Sequence, residues 1–114
     1  MTLTIWHNPR CSKSRQTLTL LQENGHAPDV RLYLEDAPGE AELRAAAKAL
    51  GLGPLEMMRT KEAEFKAEGL TKESGDDALF AAMARVPKLI ERPIVFAGGK
   101  AAIGRPPEAV LEIL

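Results

Sequence analysis

The chain opens on a short run of apolar and β-forming residues, Thr2–Trp6, that stops against His7, Asn8 and Pro9. A run this short, closed by a proline, reads as a buried strand. After Cys11 the pattern becomes helical, with Leu18, Leu21 and Thr17 on the inner side. Asn24-Gly25 is a left-handed cap pair that ends it. Over Asp29–Leu34, Val30, Leu32 and Leu34 alternate with Arg31 and Tyr33, which predicts a second strand. Strand, helix, strand in this order is a βαβ unit, and its two strands run parallel.

The middle of the chain keeps a helical period. Asp36-Ala-Pro-Gly39 is a turn, and Leu43, Ala46, Ala47 and Leu50 then follow i, i+3, i+4, i+7 up to Gly51. Pro54 suits the first position of a short helix through Leu55–Met58. Lys61–Glu68 reads as a solvated helix ending at Gly69. Asp76 or Asp77 caps a further one that buries Leu79, Phe80, Met83 and Val86 and ends before Pro87. The last quarter returns to strands: Ile94–Ala97 and Lys100–Ile103 flank Gly98-Gly99, a two-residue hairpin signal. Gly104-Arg105-Pro106-Pro107 leads into a final helix with Val110, Leu111 and Leu114 inward. The order is β-α-β, a helical insertion at residues 40–87, then β-β-α. That is the order of an α/β thioredoxin-like fold with a mixed four-stranded sheet.

Composition narrows the function classes. A chain of 114 residues, 45% hydrophobic and 27% charged, has the size and balance of one soluble domain spanning 1–114. Lys+Arg (15) and Asp+Glu (16) nearly cancel, which argues against nucleic acid as a partner. The aromatics are Trp6, Tyr33, Phe65, Phe80 and Phe96, too few for a base-stacking platform. No apolar run reaches the roughly 18 residues of a membrane span. With no signal-peptide h-region either, the expected location is cytoplasmic. The single cysteine excludes an internal disulfide and every multi-cysteine zinc site, so no metal is expected.

That cysteine, Cys11, sits in His7-Asn-Pro-Arg-Cys-Ser-Lys-Ser14, between a strand and a helix. A helix N-terminus offers N–H groups and partial positive charge to a thiolate, the reactive form of the side chain. Arg10, Lys13 and Arg15 add full charges, and the Ser14 hydroxyl is placed to donate to the sulfur. Free cysteines are most often buried and inert. Here the polar, basic flanks point instead to an exposed, reactive thiol. His7 either lowers the thiol pKa as an imidazolium or organises the loop; spacing alone leaves both open. A C-x₅-R phosphatase loop is excluded, because Thr17 stands where it would need arginine.

Four segments carry a family resemblance: His-Asn-Pro-x-Cys-x-x-Ser-Arg at 7–15, Leu-Tyr-Leu-Glu at 32–35, Arg-Pro-Ile-Val at 92–95 and Arg-Pro-Pro-Glu at 105–108. In this order, from Leu3 to Leu114, the chain resembles the glutaredoxin-coupled arsenate reductases. The resemblance implies that Cys11 attacks arsenate while Arg59, Arg92 and Arg105 hold the oxyanion. His7 and Ser14 match the family's histidine and serine, and Pro93 its cis proline. Guanidinium groups suit that task, since they stay charged and fork onto two oxygens at once. Arg31, Arg44 and Arg85 read as ordinary surface cations.

The expected activity is therefore arsenate reductase: a covalent Cys11–arsenate adduct, resolved by glutathione as co-substrate and by glutaredoxin, in a monomer with no bound cofactor. One thiol cannot resolve its own adduct, which requires an outside reductant. Two other readings fit the same cysteine. One is a glutathione-linked thiol/disulfide reductase. The other is a redox-sensing regulator that binds RNA polymerase, against which Ser14 counts, because such proteins carry a second cysteine there.

Overall fold

The computed structural model describes residues 2–114, which divide into two units. The first holds the chain up to Asp36 together with Arg92–Leu114. Its elements are β1 (Leu3–Trp6), α1 (Ser12–Glu23), β2 (Asp29–Arg31), β3 (Ile94–Ala97), β4 (Lys100–Ile103) and a 3₁₀ helix over Pro107–Ile113. The strands form one sheet in the order β2-β1-β3-β4. β1 and β2 are parallel with Ile5 opposite Val30, while β1–β3 and β3–β4 are antiparallel, with Val95 opposite both Ile5 and Ala102. This is the mixed sheet of a thioredoxin-like fold.

The two-residue period of a strand sorts the side chains of β1 and β3 between the faces. Leu3, Ile5, Val95 and Ala97 join Leu21 of α1 and Val110 of the 3₁₀ helix in one buried cluster. Each large aliphatic side chain buried there contributes about 1.5–3 kcal/mol. Trp6 lies with its ring 4.8 Å from that of Phe96, and the Arg31 guanidinium sits 5.6 Å from the Trp6 centroid. Arg31 also pairs with Asp36 at 3.4 Å, so it is a packed residue rather than a plain surface cation. The β3–β4 turn falls at Gly98-Gly99, where the φ of +62° at Gly98 meets the demand of a type II′ hairpin at its first central residue.

Two elements of this unit differ from the expected ones. The second strand stops at Arg31 instead of running to Leu34. The Leu32 carbonyl accepts from the N–H groups of Glu35 and Asp36, which curls the chain into a turn. Tyr33 is consequently buried, while Leu32 and Leu34 are exposed, although they alternate in sequence as a strand would. The last helix is 3₁₀, not α. Three residues per turn align Pro107, Val110 and Ile113, so Val110 is buried while Leu111 is half-buried and Leu114 exposed.

The second unit, Ala37–Glu91, is the predicted helical insertion. It contains α2 (Glu40–Leu50), a 3₁₀ turn at Pro54–Met57, α3 (Ala63–Ala67), α4 (Asp76–Arg85) and a second 3₁₀ turn at Pro87–Leu89. α2 and α4 pack together, burying Leu43, Ala46 and Ala47 on one and Leu79, Phe80, Ala82 and Met83 on the other. The cap of α4 is Gly75, which places Asp76 and Asp77 in the first turn, where their charge favours the helix dipole. Arg44 stacks on Phe80 and bonds Asp77 at 2.5 Å, and Arg85 bonds Glu68 at 2.8 Å. Among the described residues no helix is long and apolar enough to cross a membrane.

Candidate active site

Cys11 is the N-cap of α1, with extended backbone angles, and its carbonyl accepts the first helical bond from Arg15 N–H. The loop before it is tied at several points. Cys11 N–H donates to the Asn8 carbonyl at 3.0 Å, Arg10 N–H to Asn8 Oδ1 at 3.0 Å, and Arg15 Nη1 to the Pro9 carbonyl at 2.9 Å. These bonds turn the side chain inward. Cys11 is only 9% exposed, against the expectation of an exposed thiol drawn from its basic flanks. Arg10, Ser12 and Lys13 do face solvent; the sulfur does not share their exposure.

The burial raises the thiol pKa, and four influences outweigh it. In order of weight these are the Ser14 N–H, the Arg92 guanidinium, the Lys13 N–H and the Arg105 guanidinium; the net result is a lowered pKa. No conventional side-chain cap bond closes the helix start, so these N–H groups act on the sulfur chiefly as oriented dipoles. The positive charge thus comes from across the unit.

The Ser14 hydroxyl is used elsewhere than expected. Its oxygen lies 2.6 Å from His7 Nδ1 and accepts from Asn8 N–H at 3.0 Å. His7 N–H in turn donates to the Arg31 carbonyl at 2.8 Å, fixing the end of β1 against β2. Burial first, and Arg15 second, lower the His7 pKa, so the imidazole is held neutral. Between the two roles open for His7, the geometry favours organising the loop.

Arg92 and Arg105 are brought together. Arg105 Nε donates to the Arg92 carbonyl at 3.1 Å, and the Nε and Nη1 of Arg92 are shielded from solvent. Both arginines precede cis prolines, Pro93 and Pro106. Gly104, directly before Arg105, donates its N–H to the Pro93 carbonyl at 2.9 Å. A Cβ there would lie 2.5 Å from Thr17 Oγ1 and 2.8 Å from Pro93 Cγ. The sequence places Thr17 on the inner side of its helix, as found, but gives no sign of its contact with Gly104, whose sole hint is its place directly before Arg105-Pro106. Arg59 belongs to the helical unit. Its guanidinium pairs with Glu62 at 2.7 Å and Glu91 at 3.8 Å, and its N–H donates to the Leu89 carbonyl.

A model of the ArsC family matches residues 6–113. The chain belongs to the ArsC family. Among curated ArsC relatives, the arsenate reductase of Haemophilus influenzae is 49% identical, with the whole of both chains covered. An uncharacterized protein of Escherichia coli strain K12 is 56% identical over 96% of this chain and 94% of its own. The solved structure of the arsenate reductase from Vibrio cholerae superposes with a TM-score of 0.96 at 55% identity, covering 100% of this chain and 98% of that one.

Proposed function

We propose that this protein is an arsenate reductase in which Cys11 is the nucleophile and Arg92 and Arg105 hold the oxyanion. The observation that carries the reading is that Arg105 is bonded to Arg92, and that both guanidinium groups lower the pKa of a thiol seated at the start of α1. A thiolate and an arsenate oxyanion repel, and charge grows as the sulfur–arsenic bond forms. Fixed guanidinium groups offset that repulsion most where the charge develops. For Arg59 the support is the family resemblance; two carboxylates of its own unit already engage it.

In the proposed reaction Cys11 forms a bond to arsenic, and one arsenate oxygen leaves as water. Glutathione's thiol replaces a second oxygen in the same way. A glutaredoxin thiolate then attacks the glutathione sulfur; the electron pair of that arsenic–sulfur bond stays on arsenic, reducing it. Glutaredoxin carries off the glutathione as a mixed disulfide, and water displaces Cys11 from arsenic to release arsenite. The sole cysteine supports the need for these outside thiols, and reducing cytoplasm is where such thiols are maintained. No bound cofactor or metal enters any step.

The test is a coupled assay with arsenate, glutathione and glutaredoxin. Wild-type protein produces arsenite, Cys11→Ser abolishes it, and thioredoxin alone supports little turnover. Failure to make arsenite, with ready reduction of a glutathionylated peptide, would replace this reading with a thiol/disulfide reductase.

A further inference from the structure

The first unit leaves large aliphatic side chains uncovered along one short stretch of chain. Of the large hydrophobic side chains exposed among the described residues, Val30, Leu32 and Leu34 fall in one five-residue stretch at β2 and the turn after it. β2 is an edge of the sheet, bonded to β1 alone. Beside this stretch lies a cavity of about 270 Å³, lined by Leu32, Leu34 and Glu35 on one side and by His7, Asn8, Pro9 and Arg10 on the other. The second wall is the loop that delivers Cys11, and Arg10 adjoins Cys11 in the chain, about 3.8 Å away between Cα atoms.

Clustered aliphatic side chains beside an open sheet edge are what a protein partner covers. The position beside Cys11 says which partner. On the proposed function, from which this inference extends, one macromolecule must bring a thiol to the glutathione sulfur held through arsenic at Cys11, and this chain has no second thiol to offer. The exposed cations Arg10 and Lys13 bracket Cys11 in the chain, so charge complementarity calls for carboxylates around the incoming thiol. We infer that Val30, Leu32 and Leu34, with the adjoining cavity, form the docking surface for the dithiol reductant protein. Its apolar side chains cover the three aliphatic residues, one of them fills the cavity, and its acidic rim meets Arg10 and Lys13.

The experiment uses protein carrying glutathione on Cys11, prepared with oxidised glutathione, so that no arsenate is needed. Release of the glutathione by reduced glutaredoxin is followed for wild type, Leu32→Glu and Leu34→Glu, with Leu34→Ser as a milder variant. The second-order rate constant falls about tenfold or more for the Glu variants, and wild-type release slows as salt is raised. Release by dithiothreitol, which needs no docking, stays at the wild-type rate. Equal losses with both reductants would place the effect on Cys11 itself and overturn the proposal, as would unchanged rates with glutaredoxin or rates indifferent to salt. A wild-type dimer that these variants convert to monomer in sedimentation would assign the patch to a second copy instead. Absence of arsenite in the coupled assay would overturn the proposed function while leaving this measurement readable.

Discussion

Ser14 Oγ and His7 Nδ1 face each other at 2.6 Å, both buried, and the Asn8 N–H shares the same oxygen at 3.0 Å. With Asn8 N–H donating to the oxygen, the hydroxyl hydrogen is free to donate to Nδ1 of a neutral imidazole. The serine therefore ties α1 to the end of β1 and leaves the thiolate to the backbone. That division of labour separates fold stability from thiol chemistry at residues three apart.

Replacing Ser14 by Ala strands a buried polar group, His7 Nδ1, and a half-buried one, Asn8 N–H. Each unsatisfied group costs about 1–3 kcal/mol, so Ser14→Ala lowers the urea midpoint. The N–H groups of residues 13 and 14 survive the substitution. The pH midpoint for iodoacetamide alkylation of Cys11 accordingly moves little. A large rise in that midpoint without loss of stability would reassign the hydroxyl to the sulfur.

His7 makes stability depend on pH in a defined direction. Its folded pKa lies below the unfolded value of about 6.5. Below that value the unfolded chain takes up a proton that the folded protein resists, so stability declines as pH drops from 6.5 towards the folded pKa. Comparison with His7→Gln isolates this contribution from the carboxylates. The stability gap between pH 7.5 and pH 5.5 in urea titrations is smaller for the variant than for wild type. Arg15→Ala also narrows it, because the Arg15 charge disfavours the imidazolium.

Much of this arrangement is legible in the chain, and the failures share a cause. α1 and the β3–β4 hairpin follow local signals: Asn24-Gly25 ends the one, and Gly98-Gly99 turns the other. Leu32-Tyr-Leu34 alternates like a strand, yet two backbone bonds to the Leu32 carbonyl override the pattern and reverse which residues are buried. The basic residues flanking Cys11 suggested both an exposed thiol and a local source of charge. The bonds of the 8–11 turn bury the thiol, and Arg92 and Arg105 supply the charge after long-range strand pairing. The family resemblance, and a proline directly after each, point to those two arginines; spacing does not. Gly104 was invisible because its constraint is a neighbour 87 positions away, Thr17.

The same contrast gives a test of where the field at Cys11 originates. Arg92→Ala and Arg105→Ala raise the alkylation midpoint, Arg92→Ala by more, and each lowers arsenate turnover by about tenfold or more, since a charge-assisted contact contributes about 1.5–3 kcal/mol. Lys13→Ala keeps its N–H and loses only its ammonium, so the midpoint stays in place. An equal shift in Lys13→Ala would return the source to the local sequence.

Gly104 offers the sharpest test, because steric contact and oxyanion binding meet there. A methyl group at this position falls 2.5 Å from Thr17 Oγ1 and 3.1 Å from Thr17 Cγ2 on α1, and 2.8 Å from Pro93 Cγ. Thr17 is itself buried and bonded to the Lys13 carbonyl at 2.8 Å, so it has little room to retreat. Overpacking of this kind costs about 1–3 kcal/mol. The displaced segment carries Arg105 and the Pro93 carbonyl contact, so Gly104→Ala also raises the KM for arsenate. Thr17→Ala removes both contacts from α1 and leaves only the one with Pro93. In a double-mutant cycle, Thr17→Ala therefore recovers part of the stability and of the arsenate KM lost in Gly104→Ala, a coupling of about 0.5–3 kcal/mol. Additive losses would show that the glycine is needed for its approach to Pro93 alone.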